Sequence, residues 1–96
     1  LVTQDEISDI NNLNLILEVN GKKMQSGNTK NMIFNVNFLI SYLSKFMSLQ
    51  PGDLITTGTP AGVGMGMKPP LFLKANDKLK LSIDCLGAQN SKLVSE

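Results

Sequence analysis

Leu13, Leu15, Leu17 and Val19 alternate with Asn14, Ile16 and Glu18, which predicts a strand buried mainly on one face. Asn20-Gly21 follows directly. Both residues tolerate positive φ, so the pair predicts a type I′ hairpin turn with Lys22 to Gln25 returning as the paired strand. Ser26-Gly27-Asn28-Thr29 then breaks the strand pattern. From Asn35 the period changes. Val36, Leu39, Ile40, Leu43, Phe46 and Met47 recur at helical spacing, and predict a core-packed helix capped by Asn35 and running to about Ser48. Pro51 disfavours helical backbone in the residue before it and Gly52 permits a tight turn, so the helix stops there. Leu54 to Thr57 reads as a short β-type run. Lys78 to Asp84 is an alternating strand with Leu79, Leu81 and Ile83 inward, preceded by a left-handed residue in Asn76-Asp77. Gly87 marks a turn before a last strand near Gln89 to Val94. With residues 1–12 as a polar lead-in loop, the fold class is mainly β with one helix (α+β), built from antiparallel hairpins.

Composition narrows the function classes. A chain of 96 residues is one domain or part of one, with a thin core at best. At 42% apolar and 18% charged it has the make-up of a globular protein. All nine basic residues are Lys, the net charge is +1, and the aromatics are four Phe and one Tyr. Without Arg forks or a stacking platform, nucleic acid is not an expected partner. Apolar runs are only a few residues long, so neither a membrane span nor a signal peptide is expected. The lone Cys85 and the absence of His exclude an internal disulfide, a structural zinc site and any Ser-His-Asp or Cys-His machinery within the chain. A cytoplasmic location follows as an expectation, or the mitochondrial matrix for a eukaryotic parent. The chain opens at Leu1 with no initiator Met, from which we read a larger protein cut at this point.

Gly58-Thr59-Pro60-Ala61-Gly62-Val63-Gly64-Met65-Gly66 is the leading candidate for chemistry. Glycine lets a ligand approach the backbone, and Thr57 and Thr59 add hydroxyls. A Walker loop fails because Lys68 precedes Pro69-Pro70 where a helix would have to open. A dinucleotide fingerprint fails on the same prolines and on glycine spacing. What remains is a loop able to hold a carboxylate or carbonyl oxygen, or a plain connection. Ser26-Gly27-Asn28-Thr29 is second: its side chains could line a pocket or shape their own turn. Asp53 reads as a turn holder, and Cys85 as a filler with no basic neighbour to activate it.

The two loops in this order resemble the fumarylacetoacetate hydrolase family. The resemblance is carried by Val19-Asn20-Gly21, Gln25-Ser26-Gly27-Asn28-Thr29, Met32-Ile33-Phe34, Phe46 to Ile55, and Thr57-Gly58-Thr59-Pro60-Ala61-Gly62-Val63-Gly64. Lys68-Pro69-Pro70 with Phe72-Leu73-Lys74, and Leu86-Gly87, complete it over roughly residues 1–94. The resemblance implies part of a mixed β-roll, usually a homodimer. It also implies Mg2+ or Mn2+ held by a Glu-x-Glu pair and a later Asp, and a His-Glu pair that handles water. The implied chemistry is C–C hydrolysis, decarboxylation or isomerisation of β-diketo or 2-oxo acids, with the metal polarising the oxo group.

Carried onto this chain, Thr59 matches the threonine that contacts the substrate carboxylate or oxo oxygen, and Gly58 shapes its loop. Asn28 and Thr29 match a loop near the active site and are expected, with Thr59 and Gly58, to bind substrate. No Glu-x-Glu exists among Glu6, Glu18 and Glu96, so the resemblance places the metal ligands and the catalytic residues upstream of this chain. Lys30-Asn31 departs from the family's small-residue–acid pair, and Asn76 stands where glycine is usual. The chain is therefore expected to be the C-terminal portion of such a catalytic domain, inactive alone. Half a β-roll leaves strand edges and an apolar face uncovered, so the segment is expected to need its missing part or a second copy. The competing expectation is a truncated or degenerate relative acting as a non-catalytic binding or structural subunit.

Overall fold

The computed structural model describes residues 1–95. Asn20 and Gly21 take φ of 51° and 78°, the two positive values that a type I′ turn requires. They join β1 (Asn14–Val19) to β2 (Lys22–Asn28) in a two-residue hairpin, with Val19 opposite Lys22. β2 runs three residues past the break expected at Ser26, because Ser26, Gly27 and Asn28 pair with Ile16, Leu15 and Asn14. Ladder pairing overrides the weak strand preference of those residues. Met24 has no partner opposite it, since Lys23 faces Glu18 and Gln25 faces Leu17, so β2 carries a bulge there.

β3 (Lys78–Ile83) pairs antiparallel with the other side of β1, and β4 (Gly87–Lys92) closes the order β2-β1-β3-β4. Leu15, Leu17 and Val19 stand opposite Ile83, Leu81 and Leu79, which gives the sheet one apolar face. Asn76 takes the left-handed φ of 75° expected before β3. The Leu54–Thr57 run finds no strand partner among the described residues and stays irregular. Asp53 does hold its turn, accepting from Gln50 N at 2.8 Å.

Helix α1 (Val36–Leu43) starts at Asn35, whose side chain accepts from Phe38 N at 2.8 Å. It stops short of the expected Ser48. Lys45 N donates to Tyr42 O and Ser44 Oγ to Ser41 O, which tightens the last turn and satisfies carbonyls that a longer helix would have used. No residue of α1 is fully buried, contrary to the core-packed helix expected from its period. Val36, Leu39 and Leu43 are half-buried, while Phe34, Phe38, Tyr42 and Phe46 form a second, exposed row at four-residue spacing. Neighbouring rings in that row lie 4.8, 6.0 and 5.1 Å apart. No helix among the described residues is long and apolar enough to cross a membrane.

Hydrogen bonds from Asn20 fasten the hairpin tip to the start of β3. Its Nδ2 donates to Asp77 Oδ1 at 2.9 Å, and its Oδ1 accepts from Lys78 N at 2.9 Å. Asp77 Oδ2 accepts from Lys74 N at 2.8 Å. The Asn20 amide, followed by the Lys74 N–H, holds the Asp77 carboxyl below its usual value of 3.8. A carboxylate depressed in the folded state contributes stability above its unfolded value and loses it as pH falls through the folded one. In the full-length protein, acid titration is therefore expected to give a shallower stability loss below about pH 4 for Asp77→Asn than for the parent. Equal slopes in a pH series of denaturant melts would remove Asp77 from that role.

Candidate active-site wall

Gly58 to Gly64 lies along the outer edge of β2; Gly62 and Gly27 make that approach possible, and Gly64 lets the loop close on Leu71. A Cβ on Gly62 would sit 2.0 Å from Met24 O, and one on Gly64 would sit 1.8 Å from Leu71 O. A Cβ on Gly27, in β2 itself, would meet Pro60 Cβ at 2.8 Å. Contacts this short are unavailable to any residue with a side chain, so the sequence of small residues is what seats the loop. Gly58 differs: its φ is +90° and nothing lies within 4 Å of where its Cβ would be. It turns the backbone rather than making room for a neighbour.

Gln25 ties the loop down. Its Nε2 donates to Pro60 O at 2.7 Å and to Thr59 Oγ1 at 2.8 Å. Across from the loop, Thr29 holds the end of β2: Leu13 N donates to Thr29 Oγ1 at 2.8 Å, and Thr29 N to Leu13 O at 2.9 Å. Leu13, at 5% exposure, is the one buried hydrophobic residue among those described. Asn28 Nδ2 donates to Asn14 Oδ1 at 2.9 Å and Asn12 Oδ1 at 3.0 Å, while its Oδ1 accepts from Lys30 N at 2.9 Å. The side chains of Asn28 and Thr29 are thus engaged in shaping the turn.

These elements enclose a half-open cleft of about 630 Å³. All four residues singled out in the sequence, Asn28, Thr29, Gly58 and Thr59, line it, joined by Ser26 and Thr57. Met32, Ile33, Phe34 and Leu39 supply an apolar side. Gln25, not singled out beforehand, controls the loop from outside the cleft. Its partners are 34 and 35 residues away in sequence, so no local pattern could have marked it.

Among the described residues no charged side chain lines the cleft. A hard divalent cation needs carboxylate or carbonyl oxygens arranged around it, and among the described residues no three His, Cys, Asp or Glu side chains gather to hold one. The residues present therefore do not fit a metal. What they offer is neutral hydrogen bonding from hydroxyls such as those of Ser26, Thr57 and Thr59, beside an apolar flank, suited to a small oxygen-rich ligand with an apolar part.

The family profile described as fumarylacetoacetate (FAA) hydrolase C-terminal matches residues 1–94. The chain belongs to the fumarylacetoacetate hydrolase family. The four-stranded antiparallel sheet with one helix is the mainly β, one-helix arrangement expected for that family's C-terminal domain. A candidate hydrolase of Burkholderia cenocepacia is 59% identical over 90 residues, covering 93% of this chain and 32% of that protein. Fumarylacetoacetate hydrolase from psychrophilic Exiguobacterium antarcticum superimposes with a TM-score of 0.93 at 40% identity, over 99% of this chain and 34% of that one. Maleylpyruvate hydrolase from Sphingobium sp. SYK-6, solved with manganese(II) and pyruvate, gives 0.85 at 34% identity, over 98% of this chain and 33% of that one. The chain thus spans about a third of the length of these family members.

Proposed function

We propose that this chain forms one wall of the active site of a metal-dependent enzyme acting on acylpyruvate-type 2-oxo acids. The reaction class is C–C hydrolysis, decarboxylation or isomerisation. Thr59, on the loop that Gly58 turns, binds a carboxylate or oxo oxygen of the substrate. The observation that carries this reading is the convergence of Gly58, Thr59, Asn28 and Thr29 on one cleft with neutral donors and no charge. The pyruvate complex of the related maleylpyruvate hydrolase supports the substrate class.

In this reading Asn28 and Thr29 act by holding the cleft's edge, the Asn28 amide being engaged at both ends and Thr29 Oγ1 accepting from Leu13 N. The cation, Mg2+ or Mn2+, would supply the positive charge and Lewis acidity that this wall lacks, from ligands in the part of the protein upstream. A His-Glu pair for water belongs to the same upstream part, and the assembled protein is a cytoplasmic homodimer.

The test is Thr59→Ala in the full-length protein with manganese, assayed on maleylpyruvate and other acylpyruvates. Loss of one hydrogen bond to a charged oxygen is expected to lower kcat/KM about 10- to 100-fold, while Thr59→Ser keeps most activity. Unchanged kinetics of Thr59→Ala on every acylpyruvate would refute the assignment.

A further inference from the structure

We propose that Gln25 is a positioning residue, which fixes the Thr59 hydroxyl as a donor toward a substrate oxygen. This rests on the reading of the Gly58–Gly64 loop as a substrate-binding wall. The Pro60 carbonyl can only accept, so the Gln25 group 2.7 Å from it must be the NH2 end of the amide. The same nitrogen lies 2.8 Å from Thr59 Oγ1 and gives it the second hydrogen. Thr59 Oγ1 is thereby an acceptor on its β2 side. Its own proton has no acceptor among the described residues, and Thr59 lines the cleft. A hydroxyl held in this way meets an incoming carboxylate or oxo oxygen as a donor, with only its own O–H torsion left to settle.

Backbone features serve the same geometry. The bulge at Met24 directly precedes Gln25, and a bulge re-aims the side chain beside it. Gly62 lies so near that its missing Cβ would be 3.1 Å from Gln25 Cγ, so the loop packs on the glutamine's methylene stem. The amide end, and not merely the length of the side chain, is what the site requires. Glutamate in its place is near-isosteric but, when ionised, offers only acceptors. It would oppose the Pro60 carbonyl and draw the Thr59 proton inward, away from the cleft. Protonation of that glutamate returns one donor.

The experiment compares Gln25→Glu, Gln25→Met and Thr59→Val in the full-length protein with manganese. It measures pyruvate binding, maleylpyruvate kinetics from pH 5 to 8 and thermal melting. Both Gln25 variants are expected to raise KM and the pyruvate Kd about tenfold at pH 8, with kcat changed less. The Gln25→Glu defect relative to the parent should shrink as pH falls toward the glutamate range, and the Gln25→Met defect should not. Parental KM in both Gln25 variants beside a damaged Thr59→Val overturns the inference alone. Lower melting with unchanged KM, or a Gln25→Glu defect that ignores pH, makes Gln25 a structural clamp and also overturns it. A parental Thr59→Val overturns the reading of the loop, and this inference with it.

Discussion

Gly62→Ala in the full-length protein is expected to lift the Gly58–Gly64 loop from β2 and to lower stability and activity together. The added methyl would lie 2.0 Å from Met24 O and 3.0 Å from Met24 C, and neither backbone atom can swing aside as a side chain would. Relief requires either that β2 bend at its bulge or that the loop retreat. Retreat carries Pro60 and Thr59 away from Gln25 Nε2, so both of its hydrogen bonds are lost. The φ of +110° at Gly62 adds strain that any L side chain would feel. Clash and strain together should cost about 2–4 kcal/mol, with kcat/KM down by more than the Thr59→Ala loss. Gly58→Ala is the control. It also forces a Cβ onto positive φ but meets nothing within 4 Å, so only the conformational cost, about 1–2 kcal/mol, should appear. Denaturation midpoints ranking the two variants equally would show that the loop is not seated on β2 in the way described.

That contrast also shows what sequence could and could not reveal. A Gly-rich loop with hydroxyls was legible as a candidate, because glycine content is local chemistry. Which glycine makes room and which only turns was not, since that depends on Met24 and Leu71 arriving opposite them. The Asn20-Gly21 turn, the Asn35 cap and the left-handed Asn76 were legible for the same reason: each is decided within a few residues. β2 was read too short because Ser26-Gly27-Asn28 has poor strand character, while its pairing with β1 is a property of the ladder. Leu54 to Thr57 was the opposite case, with strand-forming residues and no partner. For Asn28 the two readings open in the sequence both hold: it shapes its own turn through Lys30 N and lines the cleft as well. Gln25 left no local mark, as its role exists only once the loop has folded back onto β2.

Residues 1–96 expressed alone are expected to self-associate or to melt without a sharp transition, because the fold leaves too much apolar surface in water. The accessible area is 7870 Å², against about 5,400 Å² for a compact protein of this mass, an excess of roughly 2,500 Å². The radius of gyration, 15.7 Å, likewise exceeds the roughly 12–13 Å of a compact chain of this length. The apolar share of that excess is burial that a compact fold would gain and this segment forgoes. The sheet's own ladder cannot offset that.

The aromatic row along α1 and its flanks is one part of this deficit, with Phe34, Phe38, Tyr42 and Phe46 at 54, 47, 49 and 69% exposure. Phe38→Asp separates the two settings. In the isolated segment it should raise solubility and lower the sedimenting mass, since it removes apolar surface from water. In the full-length protein, where the row is expected to be covered, it should cost about 3 kcal/mol or more by burying an unpaired charge. The β4 edge, all six residues exposed, is a second route to association that Phe38→Asp leaves open. A sharp, concentration-independent melt of monomeric 1–96 would mean that the sheet and α1 suffice as they stand, and that the exposed row needs no cover.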